Sequence, residues 1–365
     1  MSVHTDEASL ESDDVRVAPR RRVLRRVLMI TTASLTLLVA GSVGLFFERQ
    51  QTYDRNIKRI PDAFPVEPGR PAPAPEPPPQ APGRAENWLL VGSDRRADQG
   101  TTGADADEPA WRFGAQRADT IMLVHLPADR SRVYLVSFPR DSWVPIAGYG
   151  NAKINAAFSY GGPPLLIATI EELTRVRVDH FAILDFEGFK SMTDALGGVD
   201  VRVAETVTDT ARDVVWQAGT HHLDGARALD FVRQRYNLPG GDFDRIKRQQ
   251  AFLKALASRV ADRGTLSNPL QLNAFLEAST RAVSVDDSVT ISSLRSLALQ
   301  LRSVRADDIV FMTAPIAGTG TEGSQSVVYL DQAQSRPLYR ALRSDTLEEY
   351  VASAGDSVNE VDEVH

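Results

Sequence analysis

The sequence of 365 residues contains no cysteine, which excludes disulfides, thiol nucleophiles, zinc–thiolate centres and iron–sulfur clusters. Any part of the chain that works outside the cytoplasm must therefore be stabilised by its core without covalent cross-links. Aromatic residues make up only 7%, while the apolar fraction of 42% and the charged fraction of 24% are those of an ordinary globular protein. This composition excludes a collagen, a disulfide-stapled mini-protein and a wholly disordered chain.

Lysine is also scarce, because only five of the 41 basic residues are lysines and the rest are arginines. Arginine's planar guanidinium suits bidentate contacts with phosphates and carboxylates, although a GC-rich genome would produce the same bias. The net charge of −7 argues against a protein that coats nucleic acid. The sequence also lacks a serine-hydrolase elbow, a P-loop, a dinucleotide fingerprint and histidines at metal-ligand spacing.

One long apolar run lies near the N-terminus. Residues 27–47 carry no charge, and at about 1.5 Å per residue they span about 30 Å, the thickness of a bilayer's hydrocarbon core. Several arginines precede the run, which predicts a cytoplasmic tail at 1–26 and a single-pass helix in the plasma membrane, with the remainder extracytoplasmic. A cleavable signal peptide is the competing interpretation, but the apolar run is longer than such peptides use.

Composition divides the rest of the chain into three parts. Residues 48–85 form a linker in which ten prolines fall within 61–82, and these predict extended polyproline II outside the packed core. Residues 86–350 alternate β-forming apolar runs with helical stretches, which predicts an α/β domain. Residues 351–365 are typical of a frayed acidic tail. Predicted strands cover 87–91, 120–126, 133–138, 181–186 and 308–312, and predicted helices cover 163–173, 189–196, 245–260, 270–282, 294–303 and 337–350.

Charged clusters adjoin several of these apolar runs, at 92–96, 117–120, 139–141 and 233–245. Each cluster pairs an acid with an arginine, and each taken alone is explained as a salt bridge on a solvated rim. Loops at strand ends, however, form the ligand sites of α/β sheets. Taken together, the clusters therefore predict one site rich in arginine and carboxylate groups.

The last cluster has a spacing that points to anion binding. Arg233 and Arg235 lie two residues apart in a predicted extended segment, so both side chains would share one face. Asp242, Arg245 and Gln249 fall on one stripe of the following helix, whose N-terminus also attracts anions. Arginines beside spare carboxylates fit a pyrophosphate with a divalent cation, because Mg²⁺ takes hard oxygen ligands and shares phosphate oxygens.

Seven motifs follow one another along the chain. In order, they are L-V-G-S-D-R-R, R-A-D-T, S-F-P-R-D, K-I-N-A-A-F-S-Y-G-G, D-A-L-G-G-V-D-V, L-D-G-A-R-A-L-D-F-V-R-Q-R and G-D-F-D-R-I-K-R-Q-Q. This succession resembles the LytR–CpsA–Psr (LCP) family of cell-envelope ligases, most of all its actinobacterial members.

The resemblance implies a three-layer α/β/α sandwich with a hydrophobic lipid pocket. It also implies a phosphotransferase that moves a glycopolymer from a polyprenyl-pyrophosphate carrier to peptidoglycan, through a phosphodiester, and releases polyprenyl phosphate. Arabinogalactan is the polymer that the actinobacterial character suggests; teichoic-acid-like and capsular polymers stay open.

The resemblance also implies roles for individual residues. Asp94 and Asp119 match the family's ligands for Mg²⁺ or Mn²⁺, and the candidate base for the acceptor hydroxyl is Asp119 first and Asp242 second. Asp141 is expected to hold an arginine in place, and Arg95 stands where the family often has a small residue. The residues that match the family's pyrophosphate site are Arg96, Arg117, Arg140, Lys153, Arg233, Arg235, Arg245 and Gln249.

Two other functions remain open from the sequence. A lipid-pyrophosphate phosphatase would use the same site with water as the acceptor. A non-enzymatic envelope or transcription regulator is disfavoured by the motifs and by the predicted topology, which places the folded domain away from DNA.

Overall fold

The computed structural model describes residues 52–93, 102, 111, 113–114, 116–261, 269–354 and 357–365. The predicted cytoplasmic tail and transmembrane helix lie outside the described residues, as do Asp94 and Arg96. Within the described residues, no helix is both long and apolar enough to cross a bilayer.

The described elements alternate between strands and helices along the chain. The strands are β1 (Lys58–Ile60), β2 (Glu86–Ser93), β3 (Ala118–Leu126), β4 (Val133–Ser137), β5 (Trp143–Ile146), β6 (Gly150–Lys153), β7 (His180–Leu184), β8 (Val199–Val203), β9 (Val207–Asp209), β10 (Val214–Trp216), β11 (Gly219–Leu223), β12 (Val283–Asp286), β13 (Ile309–Thr313), β14 (Ile316–Glu322) and β15 (Gln325–Leu330). The helices are α1 (Ile154–Thr174), α2 (Phe186–Ala195), α3 (Gly225–Arg233), α4 (Asp242–Ala261), α5 (Pro269–Ala282), α6 (Ile291–Gln300), α7 (Gln332–Ser344) and α8 (Leu347–Ser353).

A mixed seven-stranded sheet in the order β1-β12-β7-β2-β3-β4-β13 forms the centre of the domain. β2 runs parallel to β7 and antiparallel to β3, and β3 runs antiparallel to β4. The carboxyl ends of β2, β4 and β7 therefore meet at the same edge as the beginning of β3. This edge brings together Arg117, Asp119 and Arg140, which belong to two of the charged clusters that the sequence places next to strands. Gly92 and Ser93, the described part of a third cluster, lie at the same edge.

Both faces of the sheet are covered by helices, as the α/β prediction requires. Leu89 and Val91 of β2 belong to a core that α1 and α7 cover on one face. Met122 of β3 and Leu135 of β4 belong to a second core with Phe252 of α4 and residues of α3 on the other face. The α/β prediction is confirmed, and the two cores hold the strand ends in fixed positions.

Helix α1 contains a break directly before Pro163, where the predicted helix 163–173 begins. Gly161 and Gly162 interrupt the helical backbone, and Gly162 has a φ of +62°. A Cβ at this position would lie 2.8 Å from the Trp111 ring. Only glycine permits both this backbone conformation and this close approach.

Part of the segment predicted as a free linker packs against the domain instead. Lys58–Ile60 forms an edge strand that pairs in parallel with β12. Farther along, Arg70 donates to Glu171 of α1 (Nη2–Oε1 2.6 Å), and only 7% and 4% of the two side chains are exposed. Proline removes backbone donors, but it does not prevent the side chains between the prolines from forming ion pairs.

The end of the chain also differs from the frayed tail that the sequence predicts. Val358 forms a β-bridge with Met312, and Val364 forms one with Val203. Val361, which lies between these two valines in the sequence, is buried. The valines recur every third residue, so they turn towards the core while the acids between them reach solvent. The high acidity of the segment hides this apolar pattern.

Candidate functional site

A cavity of about 760 Å³ lies at the edge of the sheet where the strand ends meet. Its wall has two kinds of lining. Charged and amide groups come from strand ends, from loops and from helices α3 and α4, namely Arg117, Asp119, Arg140, Arg212, Arg233, Arg235, Arg245 and Gln249. Apolar groups come from the sheet and from α2, α3 and α4, namely Leu90, Met122, Ala182, Phe189, Leu229, Val232, Phe252, Leu253 and Leu256.

The first part of the polar wall is an ion-pair chain that begins at Asp119. Arg140 donates through Nη1 to Asp119 Oδ1, and its Nε lies 3.6 Å from Asp141 Oδ2. Lys153 holds Asp141 from the other side (Nζ–Oδ1 2.9 Å). Burial lowers the pKa of Arg140, but the Asp119 and Asp141 carboxylates outweigh it, so the pKa lies above its ordinary value. Arg140 is therefore a fixed cation in the cavity wall.

The series of ion pairs from Asp119 to Lys153 divides the predicted residues into those that line the cavity and those that lie behind it. Asp119 and Arg140 line the cavity, whereas Lys153 is not among the lining residues and reaches Arg140 only through Asp141. The predicted role of Asp141, which was to hold Arg140, agrees with this geometry. Lys153 is placed to support the arginine and not to touch a ligand in the cavity.

The second part of the polar wall is built around Asp242 at the start of α4. Asp242 Oδ1 lies 2.9 Å from Arg245 Nη2 and 3.2 Å from Arg235 Nε. Burial lowers the pKa of Arg245 to about 10; Asp242 opposes the shift, and the positive charge of Arg140 adds to it. The two parts of the wall therefore lie close enough for their cations to repel. A bound anion would relieve that repulsion.

The segment that carries Arg233 and Arg235 is only partly extended: Arg233 belongs to a helix, and Gln234 after it has an extended backbone. Asp224 caps α3 by accepting from the Arg227 N–H, and Ala228, Phe231 and Val232 are buried along one face of that helix. Arg233 is its last residue, with Cζ 4.3 Å from the centre of the Phe186 ring. The burial of these three apolar residues on one helix face thus places Arg233 in a helix, although its spacing from Arg235 predicts an extended segment.

Gln249 completes the predicted stripe of α4. It lines the cavity, and its Nε2 lies 3.4 Å from the Val232 carbonyl oxygen. Arg117, at the beginning of β3, lines the same cavity and is exposed. The described members of the predicted set thus converge on one cavity, but neither Asp242 nor Lys153 is among the residues that line it. Asp242 lies behind the lining as the partner of Arg235 and Arg245, and Lys153 lies behind it as the partner of Asp141. Asp94 and Arg96 lie outside the described residues.

Sequence reasoning missed a buried pair beneath the arginine loop. Arg248 of α4 is fully buried, and its Nη1 donates to the side-chain oxygen of Gln234, which is also fully buried (2.7 Å). Gln234 Nε2 in turn donates to the Tyr236 carbonyl oxygen (3.1 Å). The amide of Gln234 therefore fixes the backbone on both sides of Arg235. The position of Arg248, one turn after Arg245 on α4, is the sequence signal that could have indicated it.

A further arginine of the cavity, Arg212, was also not among the predicted residues. Its Nη1 lies 2.8 Å from the buried Asp209 and its Nε lies 3.2 Å from Asp230. It follows β9 and lies between two of the motifs, the one that ends at Val201 and the one that begins at Leu223. No local pattern marks it, because its place in the cavity depends on how the β9–β10 hairpin packs.

Replacing Gln234 with leucine is expected to lower the free energy of unfolding by about 1–3 kcal/mol, because the buried Arg248 loses a hydrogen-bond acceptor. Denaturant unfolding measures this change. Gln217→Leu is the matched control, since Gln217 is exposed and also accepts one side-chain hydrogen bond; we expect its effect to stay within about 0.5 kcal/mol. Equal stability of the two variants would contradict a supporting role for Gln234.

Part of the predicted metal site can be assessed. Among the described residues, no three histidine, aspartate or glutamate side chains are grouped to hold a metal ion. Asp119 supplies one carboxylate, and the neighbouring Ser93 has a buried hydroxyl without a hydrogen-bond partner in the described part of the chain. A carboxylate and an unsatisfied hydroxyl are hard oxygen donors, so these residues fit a cation that also takes phosphate oxygens.

The sequence matches the LytR_cpsA_psr family model over residues 66–343. It is 39% identical over 259 residues to the probable cell wall biosynthesis protein LcpB of Corynebacterium glutamicum, which covers 70% of this chain and 61% of that protein. It is 34% identical over 182 residues to the polyisoprenyl-teichoic acid–peptidoglycan teichoic acid transferase TagU of Bacillus mycoides, which covers 49% of this chain and 54% of that protein. The chain thus spans little more than half the length of these curated relatives.

Solved structures show the same fold. The crystal structure of TagV from B. subtilis superposes with a TM-score of 0.58 at 23% sequence identity, covering 72% of this chain and 97% of that chain. Its match establishes the α/β architecture with a mixed central sheet.

Proposed function

The chain belongs to the LytR–CpsA–Psr family, and from that premise we propose that it is a phosphotransferase of the cell envelope. It takes a glycopolymer from a polyprenyl-pyrophosphate carrier and attaches it to peptidoglycan through a phosphodiester bond. Polyprenyl phosphate is released. The relative TagU, which bears the name of a transferase of this kind, supports the proposal.

The observation that carries the proposal is the pairing of two environments in one cavity. Guanidinium groups from Arg117, Arg140, Arg233, Arg235 and Arg245 line the same cavity as a broad apolar surface contributed by the sheet and by α2, α3 and α4. Guanidinium groups bind phosphate oxygens with charge-assisted hydrogen bonds, and an apolar wall binds a hydrocarbon chain. A polyprenyl pyrophosphate joins a charged pyrophosphate to a long hydrocarbon chain, so its two parts match the two kinds of wall in the cavity.

The proposed reaction exchanges one phosphorus–oxygen bond for another. The acceptor hydroxyl oxygen attacks the phosphorus that carries the glycopolymer, and the bond from that phosphorus to the bridging oxygen breaks. The bridging oxygen leaves with polyprenyl phosphate. The hydroxyl proton passes to a carboxylate, Asp119 in the first instance and Asp242 in the second. Such transfers need mainly positioning and charge stabilisation from the protein.

Mg²⁺ or Mn²⁺ is the proposed cofactor. Asp119 would hold it with the neighbouring Ser93 hydroxyl, and the predicted second ligand, Asp94, lies outside the described residues. When bound, such an ion neutralises the charge that develops on the phosphate oxygens. Arg140 would keep Asp119 in place through their ion pair.

Anchoring in the plasma membrane through residues 27–47 is part of the proposal, because a lipid-linked donor must be reached at the bilayer surface. Arabinogalactan is the proposed polymer, supported by the similarity to a cell wall biosynthesis protein of Corynebacterium glutamicum. A lipid-linked donor that carries teichoic acid is the comparison substrate in the test that follows.

The test uses the full-length chain in detergent with polyprenyl-pyrophosphate-linked glycan, Mg²⁺ and peptidoglycan. We expect glycan to become linked to peptidoglycan through a phosphodiester as an equal amount of polyprenyl phosphate is released. Cleavage of the donor that added peptidoglycan does not divert would instead identify a phosphatase. The absence of any turnover with arabinogalactan and teichoic-acid donors would contradict the proposal.

Filling the apolar part of the cavity should weaken the use of long-chain donors. Ala182 of β7 lines the cavity, and phenylalanine there would occupy space needed by the lipid. The larger side chain would also lower the free energy of unfolding by about 1–3 kcal/mol. We expect Ala182→Phe to lower kcat/KM about tenfold for a long-chain donor and much less for a short-chain one. An equal loss with both donors would show that the substitution acts on the fold and not on lipid binding.

A further inference from the structure

An exposed tyrosine stands at the tip of the hairpin that joins β5 to β6. Tyr149 donates its backbone N–H to the Ile146 carbonyl oxygen (2.9 Å), and 49% of the residue is exposed. It lies between Gly148 and Gly150, which have φ values of +80° and +72°. A Cβ on either glycine would meet nothing within 4 Å. The turn therefore needs glycine for its backbone, and the space around the tyrosine stays open.

A second tyrosine fixes the orientation of this ring. Tyr160 of α1 stacks on Tyr149, with ring centres 4.6 Å apart and planes inclined by 19°. Such pairs contribute about 0.5–1.5 kcal/mol beyond the area they bury. Because the ring is already held in place, a ligand that stacks on its open side loses little conformational entropy.

The tyrosine pair is continuous with the polar wall of the cavity. From Tyr149 the chain runs along β6, about 13 Å at 3.3 Å per residue, to Lys153, which holds Asp141 beside Arg140. The first turn of α1 is fixed to the same place, because Asn155 donates its backbone N–H to the Arg140 carbonyl oxygen (3.2 Å). The rings are thus one short hairpin away from the catalytic groups and are connected to them by rigid elements.

The position of the pair excludes contact with the lipid and pyrophosphate of the donor. The donor's lipid and pyrophosphate are accounted for by the cavity, and neither tyrosine is among the residues that line it. The acceptor must approach the same groups from outside the cavity. Peptidoglycan is a chain of sugar rings, each with flat C–H faces bordered by hydroxyl groups, so it extends beyond the ring that reacts.

We propose that Tyr149, backed by Tyr160, is a glycan-binding subsite for the peptidoglycan acceptor; this inference rests on the proposed function. The open face of the Tyr149 ring packs against the C–H face of a sugar a short distance along the chain from the one whose hydroxyl attacks. Tyrosine gives a rigid, amphipathic contact at low entropic cost. The neighbouring residues at the tip, two glycines and the exposed Asn151, suit a polar polymer better than a lipid surface.

The test measures steady-state transfer by the full-length chain while the peptidoglycan acceptor and the lipid-linked donor are varied separately. We expect Tyr149→Ala to raise the KM for the acceptor about tenfold and to leave the KM for the donor and kcat unchanged. Tyr149→Phe keeps the flat ring and should retain the wild-type KM. Tyr149→Leu keeps the bulk but not the ring and should behave like the alanine variant.

Val215→Ala is the control for loss of an exposed apolar side chain, since 48% of Val215 is exposed and it lies on another hairpin. An unchanged acceptor KM in Tyr149→Ala, with transfer intact in the wild type, would overturn the subsite alone. A rise confined to the donor KM would assign the ring to the donor, whose glycopolymer also extends beyond the cavity, and would overturn the acceptor subsite too. Lack of transfer by the wild type would instead remove the proposed function.

Discussion

Replacing Arg235 with alanine is expected to reduce transfer at least about a hundredfold while the domain stays folded. The guanidinium lines the cavity and is held by Asp242. Once a bound donor covers the side chain, a charge-assisted contact to a developing phosphate charge is worth about 2.7–4 kcal/mol. The side chain is 41% exposed, so its removal costs the fold little. Arg233→Ala is expected to behave in the same way.

Steady-state transfer and thermal unfolding of the same samples separate catalysis from folding. Arg202→Ala is the matched control, because Arg202 is an exposed arginine that also forms one ion pair, with Glu363, and it lies away from the cavity lining. It should retain wild-type turnover and stability. Turnover by Arg235→Ala equal to that of the control would remove Arg235 from the phosphate site.

Replacing Asp119 with alanine is expected to abolish the activation of transfer by Mg²⁺. The Asp119 carboxylate lines the cavity, as Ser93 does, and Arg140 holds it in position. Loss of the carboxylate removes a proposed cation ligand and a proposed proton acceptor together, so we expect turnover to fall by more than about a hundredfold. Titration of activity with Mg²⁺ and Mn²⁺ measures the effect.

Asp200→Ala provides the comparison for this variant, since Asp200 is an exposed acid paired with His222. Its response to Mg²⁺ should match that of the wild type. A variant without Asp119 that still shows a normal Mg²⁺ response would rule out this residue as a ligand. Turnover that is strongly reduced but still rises normally with Mg²⁺ would leave Asp119 with the proton-transfer role alone.

The positions of most strands and helices follow from local patterns. The run 87–91 alternates buried and half-buried residues within β2, and the apolar stripe of 245–260 lies within α4, as predicted. The prediction of an extended segment failed at Arg233, which is the last residue of the capped helix α3, whereas Gln234 after it is extended. There, the burial of three apolar side chains outweighs a spacing rule that rests on two arginines.

The supporting residues of the site were harder to predict than the arginines that line it. Arg248 and Gln234 meet across 14 positions of the sequence, and the buried Gln234 looks like any polar residue between two arginines. Tyr149 and Tyr160 likewise meet only because the β5–β6 hairpin folds against α1. Partners of this kind are chosen by packing, which no periodicity reports.

The sequence by itself determined which groups the site would contain, because charge and hydrogen-bonding capacity belong to each residue type wherever it lies in the fold. It also determined that these groups adjoin strand ends, since apolar runs and the polar residues after them are local features. Only the tertiary structure decided that the groups converge on one cavity with an apolar wall. That outcome depends on strand order and direction, and on which helices cover each face, and these are set by contacts between residues far apart in the chain.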